Sequence, residues 1–176
     1  MKRKSQGFSL LELMVTITII GVIAGIAFPL YGYFMRRSLS TACSQNLHNL
    51  GLALNGYLSD HDMMMPVAVV GKKDENDPTP TIEEVLEPYV SDLEVFHCPA
   101  DAGADSIYAQ TGSSYFWNSL LNGQSSMNLK FFLGDQDVGI PVLSDKENFH
   151  KDVGDEINIL YADGHVSKDV RFWVTN

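Results

Sequence analysis

Apolar residues are unevenly spread along this chain. From Leu13 to Met35 no charged residue interrupts a run of 23 positions. As a helix that run is about 35 Å long, enough to cross the core of a bilayer. Lys2, Arg3 and Lys4 form a basic head before it, and Arg36 and Arg37 close it. No other stretch is comparable, so the pattern predicts one membrane segment at most. Beyond Arg37 the rhythm changes. Cys43, Leu47, Leu50, Leu54 and Tyr57 step by four and three, which marks one face of an amphipathic helix, with Ser44, Gln45, Asn46, His48, Asn49 and Asn55 at other positions. Together the halves predict one long helix from about Leu10 to Leu58. Pro29 lacks an amide proton and should kink it. The helix should end before Pro66, near Ser59-Asp60-His61-Asp62.

The remainder predicts a small sheet. Residues 71–80 are polar and contain two prolines, the composition of a loop. Thr81 followed by Glu84 fits a capping box for a short helix ending near Pro88. Val95 to Pro99 reads as a brief extended segment. Ser114–Trp117, Lys130–Leu133, Ile140–Leu143 and Ile157–Ala162 are candidate strands, the last the clearest. Asp163-Gly164, before His165-Val166 and Val170–Val174, predicts a type I′ hairpin. The fold class is therefore α+β, a long N-terminal helix packed on a small antiparallel sheet.

Composition narrows the function. The chain has 176 residues, 45% hydrophobic and 19% charged, so it is not wholly disordered. Its net charge of −10 argues against binding nucleic acid or anionic lipid through a basic surface. Two cysteines are too few for a disulfide-stapled miniprotein or a zinc site built from Cys alone. No P-loop, Gly-x-Ser-x-Gly elbow, His-Glu-x-x-His or dinucleotide fingerprint is present, and the expectation is a protein that is not an enzyme. His97 beside Cys98 is no dyad, because adjacent residues of an extended segment face opposite ways.

One residue separates the readings of the N-terminus. A secretory signal peptide would use the basic head and Gly25-Ile26-Ala27, and a plain anchor would use only the apolar run. Neither has a use for Glu12, whose carboxylate costs about 2.5–3.5 kcal/mol when unpaired at mid-membrane. Cleavage between Gly7 and Phe8 would create a cation one turn above Glu12. The carboxylate could then pair with its own amine or with that of a neighbouring copy. The second pairing would set the axial offset between subunits of a filament. The cut also removes three basic residues, leaving 9 against 22 acidic ones and a side-chain charge of −13.

The stretch Lys2-Arg3-Lys4-Ser5-Gln6-Gly7-Phe8-Ser9-Leu10-Leu11-Glu12-Leu13, followed by the apolar run with Pro29, resembles the class III signal of type IV pilins and type II secretion pseudopilins. The resemblance implies cleavage after Gly7, N-methylation of Phe8 and an assembly role for Glu12. It also implies a prepilin peptidase/N-methyltransferase, other pilin copies, and indirectly an assembly platform and ATPase as partners. It divides the chain into a leader (1–7), a transmembrane and assembly helix (8–35) and a pilin-like domain (36–176). That domain would sit outside the cytoplasm of a bacterial inner membrane, then in a pilus or pseudopilus. The segments Cys43 to Asp62, His97-Cys98-Pro99-Ala100-Asp101 and Ile159 to Val166 are also similar to a bacterial pilin-like group with a C-terminal His-x9-Asp-Gly pattern. Here the nearest upstream histidine is His150, with twelve residues between it and Asp163, and residues 151–156 hold the insertion. The acidic domain and the Ala162-Asp163-Gly164 tail lean toward the secretion side. The alternative from another class is a single-span tethered binding module that does not polymerise.

Secondary sites each have a plain structural alternative. Cys43 and Cys98 are a candidate disulfide if the domain lies outside the cytoplasm, or two separate buried thiols. Asp135, Asp137, Asp145, His150, Asp163 and His165 are candidate metal ligands, with calcium favoured by hard oxygen donors and zinc by His150, Asp163 and His165. Turn chemistry explains the same acids, and no cofactor is required. Met63-Met64-Met65 and Tyr115-Phe116-Trp117 read as core. Gly21, Gly25 and Gly32 read either as close helix contacts or as residues a bilayer tolerates.

Overall fold

The structure is a computed structural model, described for residues 9–71, 78–129, 139–150 and 157–168. The predicted strands at Lys130–Leu133 and Val170–Val174 lie outside the described residues, as do Gly7, Phe8, Asp135 and Asp137. The chain divides into two compact units with the boundary between Met35 and Arg36.

Helix α1 covers Leu10–Asp60, close to the predicted limits. Within the first unit every large apolar side chain described from Leu10 to Met35 is exposed. The segment Leu10–Phe28 is long and apolar enough to cross a membrane. Thr16 and Thr18 donate their hydroxyls to the carbonyls of Leu13 and Met14. These back-bonds satisfy both threonine hydroxyls on that surface.

In the second unit the same helix carries a buried stripe of Cys43, Leu47, Leu50, Leu54 and Leu58. Tyr57 is half-buried beside it. Asp62 and Met63 end the helix with φ of 51° and 58°. The Met63 amide returns to the Leu58 carbonyl at 2.9 Å, a six-to-one closure that usually employs glycine. Two non-glycine residues in the left-handed region each cost about 1–2 kcal/mol. Only Met65 of the methionine triplet is buried, whereas Met63 and Met64 are exposed, so the core reading holds for one residue of three.

Strands β1 (Tyr115–Trp117), β2 (Pro141–Asp145), β3 (Ile159–Tyr161) and β4 (Val166–Ser167) form one sheet in chain order, antiparallel throughout. The register shifts between Pro141 and Leu143, so β2 carries a bulge that lets both Val142 and Leu143 be buried. The stripe of α1 packs on Tyr115, Trp117, Leu143 and Leu160 in one core. Gly51 permits the approach, since a methyl there would sit 3.1 Å from a Leu160 Cδ. Phe116, expected in the core with Tyr115 and Trp117, is instead exposed on the other face, as strand alternation requires.

Shorter elements complete the unit. Helix α2 (Ile82–Leu86) has the expected capping box between Thr81 and Glu84. Val95–Phe96, expected to be extended, belongs to a 3-10 turn at Leu93–Phe96, because Asp92 caps it by accepting from the Glu94 amide. Helix α3 (Ile107–Thr111) was not signalled by any apolar period and starts at the cap Ser106. The turn after β3 is also not the expected type I′. The Gly164 amide closes on the Tyr161 carbonyl, and Gly164 is left-handed (φ 88°) while Asp163 is not. It is a type I turn followed by a left-handed glycine, a bulged hairpin loop.

Candidate functional site

The N-terminal site begins at Ser9. Its amide donates to Glu12 Oε2 at 2.9 Å, so the carboxylate caps its own helix in the single chain. Ser9-x-x-Glu12 is the sequence of a capping box, and Glu12 also favours the positive end of the helix dipole. A methyl added at Gly21 or Gly25 meets nothing within 4 Å. Among the described residues those glycines accommodate no neighbour.

A second cluster lies in the globular unit. Cys43 on α1 and Cys98 after the 3-10 turn form a disulfide, with both sulfurs buried. His150 Nε2 lies 3.6 Å from Cys98 Sγ and 3.5 Å from Asp145 Oδ2. Asp145 Oδ2 accepts from the Asn158 amide and side-chain Nδ2, each at 2.8 Å, and the Ser44 hydroxyl donates to Asn158 Oδ1. Burial pushes the Asp145 carboxyl up to about 6, against the Asn158 hydrogen bonds. Burial, then the charge of Lys168, pushes the His150 imidazole down to about 4. Both directions favour the uncharged side chains, as expected for groups removed from water.

Of the candidate metal ligands, Asp145 and His150 lie together, Asp163 and His165 lie apart from them, and Asp135 and Asp137 lie outside the described residues. Asp145 leaves β2 where its amide bonds the Asn158 carbonyl, whereas Asp163 and His165 lie beyond Tyr161, which pairs with Pro141. At about 3.3 Å per residue the two ends are on the order of 10 Å apart or more. One ion cannot take His150 together with Asp163 and His165. Asp163 instead accepts from the His165 amide and ring, and that ring stacks on Tyr161 at 4.4 Å. Turn chemistry accounts for this pair. His97 faces Glu94 and the Asp101 carbonyl.

Asp101 is a residue that sequence reasoning missed. Its carboxylate is buried and accepts from the amides of Ile107 and Tyr108 and from the Ser114 hydroxyl at 2.7–2.9 Å. Burial alone would raise its pKa, but these hydrogen bonds and that of Ser106 outweigh it and hold the carboxyl below its usual range. A depressed carboxylate stabilises the fold above the unfolded pKa, and that contribution is lost as pH falls through the folded one. Asp101→Ala should therefore cost about 3 kcal/mol at neutral pH, because two amides and a buried hydroxyl lose a charged acceptor. In denaturant titrations the gap between wild type and variant should shrink once pH drops below about 4. A constant gap down to the lowest pH would refute this account of Asp101.

Comparison with known proteins starts from the N-terminus. The family described as the prokaryotic N-terminal methylation motif matches residues 2–28. Residues of this chain are 37% identical over 59 positions to the type IV major pilin protein PilA of Myxococcus xanthus (strain DK1622). They are 28% identical over 137 positions to the type IV major fimbrial protein FimA of Dichelobacter nodosus. The chain is type IV prepilin-like. The match to the first relative covers 34% of the prepilin-like chain and 27% of that protein. The match to the second covers 70% of the prepilin-like chain and 85% of that protein. No solved structure matches it. Glu12 of the prepilin-like chain lies inside the matched motif, whereas the Cys43–Cys98 cluster lies outside it.

Proposed function

We propose that this chain is a structural subunit of a filament of the type IV pilus kind. A prepilin peptidase cuts between Gly7 and Phe8 and methylates the new amine of Phe8. The Leu10–Met35 helix then holds the subunit in the inner membrane, with residues 36–176 outside the cytoplasm. Assembly transfers the helix from lipid to neighbouring helices, and Glu12 pairs with the Phe8 amine of another copy. An assembly platform and ATPase supply the work. One observation carries the reading: a helix whose apolar surface is exposed from Leu10 to Met35 begins inside a matched methylation motif. Such a surface needs either lipid or other helices to cover it.

The two relatives are named as a pilin and a fimbrial protein, which favours a pilus over a secretion pseudopilus despite the acidic domain. The tethered, non-polymerising module is the second reading, and the Ser9–Glu12 cap favours it by giving Glu12 a local task. Filaments sheared from the surface of cells producing the full chain, probed with antibody against residues 36–176, test the proposal. The expected result is recovery of the subunit in the sedimented filaments. Its confinement to membranes as a monomer would favour the tethered module instead.

A further inference from the structure

The filament reading makes no use of the buried cluster around Cys43 and Cys98. Its members come from three separate places: α1, the segment after the 3-10 turn, and β2 with the loop that follows it. His150 and Asp145 are each only 3% exposed. The ligand atoms of Cys43, Cys98 and His150 all lie within 4.8 Å of one another. His150 Nε2 is 3.6 Å from Cys98 Sγ and 3.5 Å from Asp145 Oδ2. The second distance is long for an N–H···O hydrogen bond, whose usual range is about 2.7–3.2 Å.

The Cys98–His150 distance matches an edge of a metal tetrahedron. Zinc lies about 2.3 Å from thiolate and about 2.0 Å from imidazole or carboxylate, which puts neighbouring ligand atoms roughly 3.3–3.8 Å apart. Cys43 and Cys98 are bonded to each other here, so the two sulfurs become ligands only on reduction. Asp145 adds a second observation. Its Oδ1 is buried and has no hydrogen-bond partner, while Oδ2 is held by Asn158. A buried carboxylate oxygen without a donor, on a residue that neighbours His150, is one that a cation would satisfy.

We propose that the reduced chain binds one Zn2+ through Cys43, Cys98 and His150, with the Asp145 carboxylate beside His150 available as a fourth donor, at a site that disulfide formation closes. Binding releases the two thiol protons. Oxidation by a disulfide-class oxidant reverses it: each cysteine sulfur gives up one electron, the S–S bond forms and the ion leaves. The oxidant's own S–S bond takes two electrons and two protons to become two thiols. The cluster thus holds a cation where thiols are kept reduced and a disulfide where they are oxidised.

The test uses the full chain in detergent, half of it oxidised and half reduced by a phosphine, which is itself converted to its oxide with oxygen from water. Co2+ is the probe, followed by Zn2+. The reduced chain should take up one Co2+ with sulfur-to-metal charge-transfer and tetrahedral ligand-field absorption, bleached by one equivalent of Zn2+. The oxidised chain should show neither band. His150→Ala, reduced, should bind about tenfold or more weakly. A reduced wild-type chain without the thiolate bands, folded or not, overturns the proposal. So does an identical spectrum from the oxidised chain or from Cys98→Ser. The comparison of two redox states of one unmutated chain keeps variant misfolding out of the answer. It also leaves the N-terminal filament reading untouched.

Discussion

Replacing Cys43 and Cys98 together by Ala should lower the stability of the globular unit by about 4 kcal/mol, because the bridge closes a long loop. The cysteines are 55 positions apart, and the crosslink removes loop-closure entropy that the unfolded chain would otherwise gain. For a unit of this size the thermal midpoint should fall by roughly 10–15 °C. Both side chains are wholly buried against the α1 stripe, so the lost packing acts in the same direction. Thermal unfolding of the full chain in detergent with a chelator present checks it. A fall of only a degree or two would mean that the bridge contributes little and that helix–sheet packing alone sets the stability.

Glu12→Gln should abolish recovery of the subunit in sheared filaments while leaving the thermal midpoint of the globular unit unchanged. The size of the effect discriminates between the two tasks open to this residue. Losing the Ser9–Glu12 cap costs an N-terminal helix turn about 0.5–2 kcal/mol, too little to empty a filament. Glutamine can still accept from the Ser9 amide, as in a capping box. It cannot neutralise the Phe8 amine of a neighbour. Filament recovery in the Gln variant at the wild-type level would leave capping as the role of Glu12 and favour the tethered module. Loss of filaments with normal membrane insertion would assign Glu12 to intersubunit pairing.

How much was legible follows from the range of each interaction. The limits of α1 could be read because every signal for it is local: an apolar run, then a four-three stripe. The α2 capping box is equally local. The Leu93–Phe96 turn was missed because an apolar segment looks extended until Asp92 is seen to cap it. Asp163-Gly164 marked a hairpin correctly, but the dipeptide does not say which of its positions becomes left-handed. The metal candidates were pooled because they are close in sequence, and the antiparallel register then separated Asp145 from Asp163. Asp101 and the His150–Cys98 contact depend on partners 13 and 52 positions away, for which a single sequence carries no periodic signal. Phe116, expected in the core with Tyr115 and Trp117, is exposed, because strand alternation turns it to the other face.

The most direct test of the filament-subunit account is the intact mass and N-terminal peptide of the protein isolated from its native membrane. The account predicts a mature chain that has lost residues 1–7 and begins with N-methylated Phe8. A chain beginning at Phe28 would make it an ordinary secreted domain, and a chain still carrying Met1 a simple anchor, and either result would contradict the account.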